Sequence, residues 1–236
     1  MTTQGATQPG AGPAGFRPFR VVEKRPENRL ITSFVLRPLD AADWRPFEPG
    51  QFLVFKVPGP DGRPLPKTYS VSSSPRMRDG YRITVKREAA PQAGLPDGIG
   101  SSYLHDQVSV GSVLDVQGPR GDFRLDRGSK RPVVLISGGV GLTPMLPMLD
   151  VLAHETERRV TYIHGCQDGS LHTMKAEVAA LAAVRRGISV RTIYQQPTQQ
   201  DRETRQFDAE GFITRDLLQQ WLPLDDYDFY LCGPPP

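Results

Sequence analysis

The sequence predicts two domains: an antiparallel β-barrel, followed by an α/β domain with a parallel sheet. The first observation is a series of short strand-like segments between residues 16 and 127, separated by turns rich in Pro and Gly. Several strands at this spacing are typical of a small barrel. The second observation is the change after residue 127, where apolar strand-like runs alternate with helical patterns. That alternation is typical of a parallel sheet covered by helices.

The predicted domains span residues 16–127 and 128–236, and a chain of 236 residues has room for both. Residues 1–15 precede them and read MTTQGATQPGAGPAG. Gly, Pro, Thr and Gln dominate this segment without any apolar period. We therefore expect a disordered tail there.

The barrel elements are read from local patterns. YRITVKR alternates apolar and polar residues over 81–87, as in a strand with one buried face. The other predicted strands are residues 30–36, 51–57, 67–72 and 112–116. In this half only residues 101–108 read as a short helix.

The α/β half opens with VVLIS, 133–137, a continuous apolar run typical of a strand buried on both faces. A helical pattern follows this strand. The remaining predicted strands are 159–164, 188–194 and 228–232, and the remaining predicted helices are 173–186 and 215–222.

Composition narrows the function classes. An apolar fraction of 38% and a charged fraction of 23% fit a soluble globular protein, and a net charge of +3 is too small to indicate nucleic acid as a partner. Two distant cysteines indicate neither a disulfide framework nor a cysteine metal site. The first residues lack the layout of a secretion signal, so we expect a cytoplasmic protein. The long apolar stretch 132–153 is broken by glycines and prolines, so no membrane span is expected.

The sharpest local signal is SGGVGLTPML, where a buried strand runs into a glycine loop and a helix. Thr143 is predicted as the N-cap and Pro144 as the first helical residue. Gly139 and Gly141 permit close backbone approach, and the N–H groups of such a helix start attract phosphate. The third glycine of the dinucleotide fingerprint is absent, so a tight turn that needs glycine only for its shape explains the loop equally well.

Two further segments carry weaker signals. Cys232, Gly233 and Pro234 follow an apolar strand at its carboxyl end, where parallel sheets bind ligands; an ordinary buried cysteine is the alternative. In GIGSSYLHD, Ser101 and Ser102 follow Gly98 and can cap the short helix and offer donors to an anion. A capped helix facing water is the alternative for this segment.

Four motifs occur in order along the chain: K-x-Y-S, G-x-x-S-x-x-L, G-V-G-x-T-P and C-G-P. Together, on a barrel followed by an α/β half, they resemble the ferredoxin-reductase superfamily. PGQF, YRITVKRE, HGCQDGSLHTMKAE and YQQPTQQDRETRQFDAEGFIT resemble in particular the reductase portion of flavohemoglobins. The resemblance covers nearly all of residues 16–236.

The resemblance implies a role for the strand KTYS, which taken alone could be any polar surface strand. Lys67 would face the phosphates of FAD, Tyr69 would pack along the cofactor, and Ser70 would reach the reactive N5 edge of the flavin. The backbone of Thr68 would contribute as well. Phe52 matches a position where flavohemoglobins carry a tyrosine against the cofactor.

The other motifs acquire roles in the same way. Gly98 and Ser101, with Ser102 beside them, would hold the pyrophosphate of FAD. Cys232 would lie near the nicotinamide, in the segment that continues with Gly233 and Pro234. The loop that would bind the pyridine dinucleotide consists of Gly139, Val140, Gly141, Leu142, Thr143 and Pro144.

The implied function is that of an FAD-dependent NAD(P)H oxidoreductase. Electrons would pass from a reduced pyridine nucleotide through the flavin to a redox partner, which would be a ferredoxin, an iron–sulfur protein or a globin. Ser70 and Cys232, the candidate catalytic residues, would position the reactants, and no dedicated general acid or base is expected. No arginine follows YIHG closely enough to clamp a 2′-phosphate, which favours NADH. The alternative is a flavin- or nucleotide-binding module without turnover.

Three departures from the family pattern stand out. Lys67 replaces the usual arginine and lacks its two-pronged fork, so FAD would be held more loosely. Phe52 lacks the tyrosine hydroxyl. Relatives continue beyond C-G-P, so we expect a C-terminally incomplete α/β domain with an exposed apolar patch beside Phe229 and Leu231.

The histidines do not have the spacing of metal ligands on one helix face, and no metal site is predicted. Structural or solvent-facing roles are favoured for all four of them: His105, His154, His164 and His172.

Overall fold

The computed structural model of the protein describes residues 15–90, 92, 94 and 96–234. Apart from Gly15, the predicted tail lies outside the described residues. The chain forms two sheets: a six-stranded antiparallel sheet, followed by a five-stranded parallel sheet with helices on both faces. This arrangement confirms the predicted fold class.

The antiparallel sheet is closed into a barrel. Its strands follow the order β4-β3-β6-β1-β2-β5, and a bridge between Val71 and Ile83 joins the two outer strands. Closure leaves few free strand edges. One helix, α1 (Ile99–Asp106), belongs to this half. The strands are β1 (Arg17–Pro26), β2 (Ile31–Pro38), β3 (Phe52–Pro58), β4 (Pro64–Ser70), β5 (Tyr81–Lys86) and β6 (Val113–Arg120).

The parallel sheet has the order β10-β9-β8-β7-β11. Strand β7 lies between β8 and the edge strand β11 and is buried on both faces, as its apolar run predicts. Val133 and Leu135 pack with α2 and α3, whereas Val134 and Ile136 pack against α5. The strands are β7 (Val133–Gly138), β8 (Val160–Cys166), β9 (Ile188–Tyr194), β10 (Ala209–Glu210) and β11 (Asp228–Cys232), and the helices are α2 (Met145–Glu155), α3 (Lys175–Ala183), α4 (Gln199–Thr204) and α5 (Arg215–Trp221).

Thr143 is not the N-cap of α2, so this prediction is wrong. Gly139, with a φ of 50°, starts a turn of 3₁₀ helix that continues to Leu142. Thr143 and Pro144 already have helical torsions, and α2 begins at Met145 without a side-chain cap. The positive φ at glycine reverses the chain earlier than the capping pattern suggests.

The edge strand β11 carries the two side chains that were expected to be exposed. Phe229 is 47% exposed and Leu231 61% exposed. Within the residues described, no helix is long and apolar enough to cross a bilayer.

Candidate functional site

A cleft of about 590 Å³ lies between the barrel and the α/β half. The barrel contributes β4, β5 and the start of α1, and the α/β half contributes the loop after β7 and the segment after β11. The carboxyl ends of β7 and β11 therefore face β4 of the barrel, in the position where open parallel sheets bind ligands.

The barrel wall contains the whole K-T-Y-S stretch, since residues 67–70 all line the cleft. Tyr69 packs edge-on against Phe55 with ring centroids 5.6 Å apart. Burial raises the pKa of Tyr69 to about 12, so its phenol keeps its proton at neutral pH. Among the described residues, Lys67 has no carboxylate within salt-bridge distance, which leaves a cation available to an anion in the cleft.

The first turn of α1 closes against this strand at Gly100. A Cβ at this position would lie 2.7 Å from both Lys67 Cγ and the Tyr69 hydroxyl, so only glycine allows the close approach. The first N–H groups of a helix have no partner within it. These N–H groups therefore lie beside the Lys67 side chain and favour an anion there.

The two serines of α1 do not cap the helix, contrary to the expectation. Gly98 is the N-cap residue, and no side chain caps it. Ser101 Oγ donates to the Gly98 carbonyl at 2.9 Å and accepts from the Glu88 N–H at 3.1 Å, which fixes the helix start to the end of β5. Ser102 Oγ is buried and has no hydrogen-bond partner among the described residues.

The glycine loop forms the opposite wall. Gly139 faces open space, with nothing within 4 Å of an added Cβ. Gly141 has a different role, because a Cβ there would lie 2.2 Å from the Cys232 carbonyl oxygen. Gly138 likewise approaches Pro234, whose Cδ would lie 3.0 Å from an added Cβ. The loop therefore needs Gly141 for packing, whereas Gly139 leaves space on the cleft side.

Most of the residues predicted for the site line this one cleft. The exceptions are Phe52, Ser102, Leu142 and Pro144. Leu142 and Pro144 are buried in the start of α2, and Phe52 packs its ring over Gly121.

Sequence reasoning missed part of the lining. The additional residues are Thr84, Val85, Lys86, Glu88, Ile99, Gly100 and Gly138. The polar face of β5 offered a signal for Thr84 and Lys86, because their alternation with Ile83 and Val85 marked a strand with one solvated face. No pattern in the sequence near β5 indicated that this face lies beside β4.

Cys232 lines the cleft as a thiol. Burial raises the pKa of Cys232 above its ordinary value, so the thiolate is disfavoured at neutral pH. A nucleophilic cysteine needs the opposite shift. The side chain is therefore suited to contact a planar ligand and not to attack one.

A buried polar cluster lies behind the glycine loop. Ser137, the residue before Gly138, hydrogen-bonds both Tyr162 OH and His164 Nδ1 at 2.8 Å. The rings of His164 and His172 lie 4.9 Å apart. Burial and the neighbouring His172 lower the pKa of His164 to about 3, and burial and Lys175 lower that of His172 to about 4. Both rings are neutral at pH 7, which fits structural roles. The described residues contain no cluster of three or more potential metal ligands.

Comparison with known families assigns each half separately. Residues 18–125 match the oxidoreductase FAD-binding domain, and residues 135–236 match the oxidoreductase NAD-binding domain. Both matches follow the division of the chain into a barrel and a parallel sheet.

Individual relatives agree with that assignment. The chain is 42% identical over 227 residues to a flavohemoprotein of Bordetella pertussis, which covers 95% of this chain and 56% of the relative. It is 36% identical to the flavohem-like FAD/NAD-binding domain of a nitric oxide dioxygenase from Vibrio cholerae, with a TM-score of 0.81 and coverage of 93% and 88% of the two chains. The cytochrome b5 reductase domain of Ulva prolifera nitrate reductase shares the fold at 22% identity, with a TM-score of 0.78 and coverage of 98% and 91%.

The chain therefore belongs to the ferredoxin-reductase superfamily of NAD(P)H-dependent flavin oxidoreductases, in the group that contains the reductase portions of flavohemoglobins. It spans slightly more than half the length of the curated flavohemoproteins it matches, 56% in the case of the Bordetella pertussis relative.

The site fits the two cofactors of this family. Lys67, which has no carboxylate partner among the described residues, and the helix start held close to it by Gly100 together suit the phosphates of FAD. The open space at Gly139 suits the close approach of a dinucleotide to the opposite wall.

Proposed function

We propose that this chain transfers electrons from NADH through bound FAD to a haem protein. One observation carries the proposal: the K-T-Y-S strand of the barrel and the glycine loop of the α/β half line a single cleft. Two cofactors bound to these walls would meet inside it. A binding module would not need both walls to face each other.

FAD would be bound by the barrel wall. Lys67 supplies positive charge, and the start of α1 at Gly98–Ser101 supplies backbone donors for the diphosphate. Tyr69 offers an aromatic face with a protonated hydroxyl. Ser70, at the cleft end of β4, places a hydroxyl and backbone groups where the reacting edge of the flavin would lie.

The nucleotide would be bound by the α/β wall. Gly139, Val140 and Gly141 would supply the backbone donors, and Cys232, Gly233 and Pro234 would supply the surface against which the nicotinamide rests. Bound FAD would supply the redox chemistry. It can accept a hydride, which is a proton together with two electrons, from the nicotinamide and can release the two electrons one at a time. Ser70 and Cys232 would orient the two rings, because neither is activated as a nucleophile.

No lining residue is needed as a general acid or base. Glu88, which carries the carboxylate that lines the cleft among the described residues, is paired with Lys86 at 3.1 Å, and its backbone N–H donates to Ser101 Oγ. The protein would act by holding the rings in contact and by excluding water, which is the contribution expected in a cofactor enzyme.

The acceptor class is proposed from the relatives. The Bordetella pertussis protein is named a flavohemoprotein, and it extends well beyond the length that this chain covers. A haem iron is therefore favoured over an iron–sulfur cluster as the destination of the electrons.

The proposal is tested with the FAD-loaded chain under NADH, with a ferric globin, a plant-type ferredoxin or ferricyanide as the acceptor. Reduction of the globin, followed in its visible haem bands, is expected to exceed reduction of the ferredoxin. Ferricyanide reports electron flow that needs no docking. Flow to ferricyanide and ferredoxin but not to the globin would contradict the haem assignment, and no flow to any acceptor would contradict turnover itself.

A further inference from the structure

The loop between β4 and β5 carries three consecutive serines, Ser72, Ser73 and Ser74, that the proposed cofactor contacts leave unused. Ser72 and Ser73 are buried, at 0% and 4% exposure. The loop follows Ser70 directly, so its attachment decides where the cleft end of β4 lies. Buried polar side chains need partners. Ser72 and Ser73 find theirs in the barrel, on β5, whereas Ser74 bonds Asp150 in the α/β half.

The first attachment is an ion pair between Arg82 on β5 and Glu177 on α3. The two guanidinium N–H₂ groups donate to the two carboxylate oxygens at 2.9 and 2.8 Å. The same guanidinium donates from Nε to Ser72 Oγ at 3.2 Å and from Nη2 to the Ser72 carbonyl. The Arg82 side chain is only 13% exposed. One planar group therefore joins the loop, the barrel and the α/β half in a fixed geometry.

The second attachment is Asp150 on α2, which is 3% exposed. Ser74 Oγ donates to its Oδ2, and Arg76 Nη2 donates to its Oδ1 at 2.8 Å. His154 Nδ1, on the same helix, lies 3.1 Å from Oδ1. A buried carboxylate is costly without partners, and here two of its partners come from the barrel loop. Separating the halves would remove both of these barrel partners from the carboxylate.

We propose that Asp150 and the Arg82–Glu177 pair form a two-point interdomain latch that sets the separation of the two cleft walls. Asp150 lies on the helix that continues from the glycine loop, and Ser72 lies two residues beyond Ser70. Both attachments thus act on segments that run directly into the cleft. These are positioning residues, since none of them lines the cleft. The inference rests on the proposed function.

The latch acts on the rate of hydride transfer and not on the retention of FAD. All proposed FAD contacts belong to the barrel wall, which the latch does not assemble. Transfer between two rings is different, because it needs reacting atoms about 3–3.5 Å apart, and an error of about 1 Å costs up to about a hundredfold. Loosening the latch should therefore lower the rate of hydride transfer without changing FAD affinity, whereas a general loss of folding would lower both.

The test uses Glu177→Gln, Asp150→Asn and the double variant in the full FAD-loaded chain. Glu210→Gln is the matched control: Glu210 also forms a two-pronged pair with an arginine, Arg202, at 3.1 and 2.8 Å, but both residues lie in the α/β half. The rate constant of flavin bleaching at saturating NADH is measured anaerobically. The dissociation constant of FAD is measured separately by flavin fluorescence. The radius of gyration, which increases if the two halves move apart, is measured by small-angle X-ray scattering.

In the double variant we expect NADH at saturation to bleach the flavin about tenfold more slowly or slower still, while the dissociation constant of FAD stays within about twofold of that of the unmodified chain. Its radius of gyration should increase, and Glu210→Gln should change neither quantity. An unchanged rate in the double variant, or an unchanged radius of gyration, overturns the latch. If Asp150→Asn fails to fold, Arg76→Gln removes the same ion pair from a side chain that is 54% exposed and gives the same test.

The latch and the proposed function fail in different ways. If the unmodified chain retains FAD but NADH does not bleach it, the proposed function fails. If the unmodified chain is bleached at the same rate as the double variant, only the latch fails. The scattering measurement needs no turnover and tests the latch in either case.

Discussion

Gly141 and the carbonyl group of Cys232 are in direct backbone contact. A Cβ on residue 141 would lie 2.2 Å from the carbonyl oxygen and 2.6 Å from the carbonyl carbon. This contact joins the loop after β7 to the end of β11, the two segments that form the α/β wall of the cleft. The G-V-G and C-G-P motifs therefore depend on each other, since the shape of one requires the absence of a side chain in the other.

Gly141→Ala is expected to destabilise the protein by about 2 kcal/mol, because the added methyl must displace the backbone at Cys232. It should also weaken NADH binding, since that displacement moves the nucleotide wall. Urea denaturation and NADH titration measure the two effects. Gly128→Ala is the control, because Gly128 has an ordinary φ and its nearest neighbour, Asp126 Oδ1, would lie 3.3 Å from the new Cβ. Equal stability of both variants would contradict the contact.

Lys67→Ala is expected to raise the dissociation constant of FAD about tenfold, because the diphosphate would lose a charge-assisted hydrogen bond. Lys67→Arg should lower it severalfold, since guanidinium offers a two-pronged fork to the diphosphate. Lys56→Ala, on the neighbouring strand β3 and outside the cleft, is the matched control. Flavin fluorescence quenching gives all three constants. Equal dissociation constants of FAD for Lys67→Ala and Lys56→Ala would show that the diphosphate does not bind beside Lys67.

The buried histidines predict a loss of stability in mild acid. The folded pKa values, about 3 for His164 and about 4 for His172, lie below the ordinary value of 6.5. Between these values the unfolded chain binds more protons than the folded one, so the free energy of unfolding falls as the pH drops below about 6.5. His172 alone accounts for a loss on the order of 3 kcal/mol by pH 4.

Urea denaturation between pH 7.5 and pH 5 measures this slope. Asparagine can replace Nδ1 of either ring, which bonds Ser137 in one case and Tyr194 in the other. His164→Asn combined with His172→Asn should therefore flatten the slope. A double variant that loses stability as steeply as the unmodified chain would assign the acid sensitivity to other groups.

Arg158 and Asp228 form a buried ion pair that connects the segment just before β8 to the start of β11. Arg158 is 8% exposed and also donates to the Asp126 carbonyl at 2.9 Å. Burial alone would raise the pKa of Asp228, but the hydrogen bond from Ser129 and the charges of Arg131 and Arg158 hold it below its ordinary value. Arg158→Leu removes the buried partner of this carboxylate and leaves it with the exposed cation of Arg131.

The expected cost of Arg158→Leu is about 3–5 kcal/mol in the free energy of unfolding. Arg131→Ala removes the other cation beside Asp228, but its side chain is 51% exposed, so its loss should cost about 1 kcal/mol or less. Chemical denaturation of both variants provides the comparison. Similar losses in the free energy of unfolding for the two substitutions would show that the buried Arg158 stabilises Asp228 no more than the exposed Arg131 does.

The sequence was sufficient for the architecture and for the motif residues of the cleft. Strand-like alternation in 81–87 and the buried run 133–137 each correspond to a strand, because their apolar spacing matches the faces they bury. Lys67 and Tyr69 were assigned to the site through the resemblance of K-T-Y-S to a family motif, whereas Gly139 stood out in the pattern of a buried strand, a glycine loop and a helix.

Elements without an apolar pattern were missed. Strand β1 contains Pro18, Pro26 and several charges, and α4 is a polar helix held by the capping box of Thr198 and Asp201. Phe52 was placed at the site, but it lies over Gly121, because the register that pairs it with Ser70 fixes the strand and not the direction of the ring. The Arg82–Glu177 contact joins residues 95 apart, a distance at which local patterns carry no information.

Anaerobic addition of NADH to the FAD-loaded chain, followed in the visible absorption of the flavin, tests the central claim most directly. If the two walls of the cleft bring the cofactors together, NADH bleaches the flavin, and NADPH does so more weakly. Retained flavin that neither nucleotide bleaches would contradict the claim and would show a binding module in place of an electron-transfer enzyme.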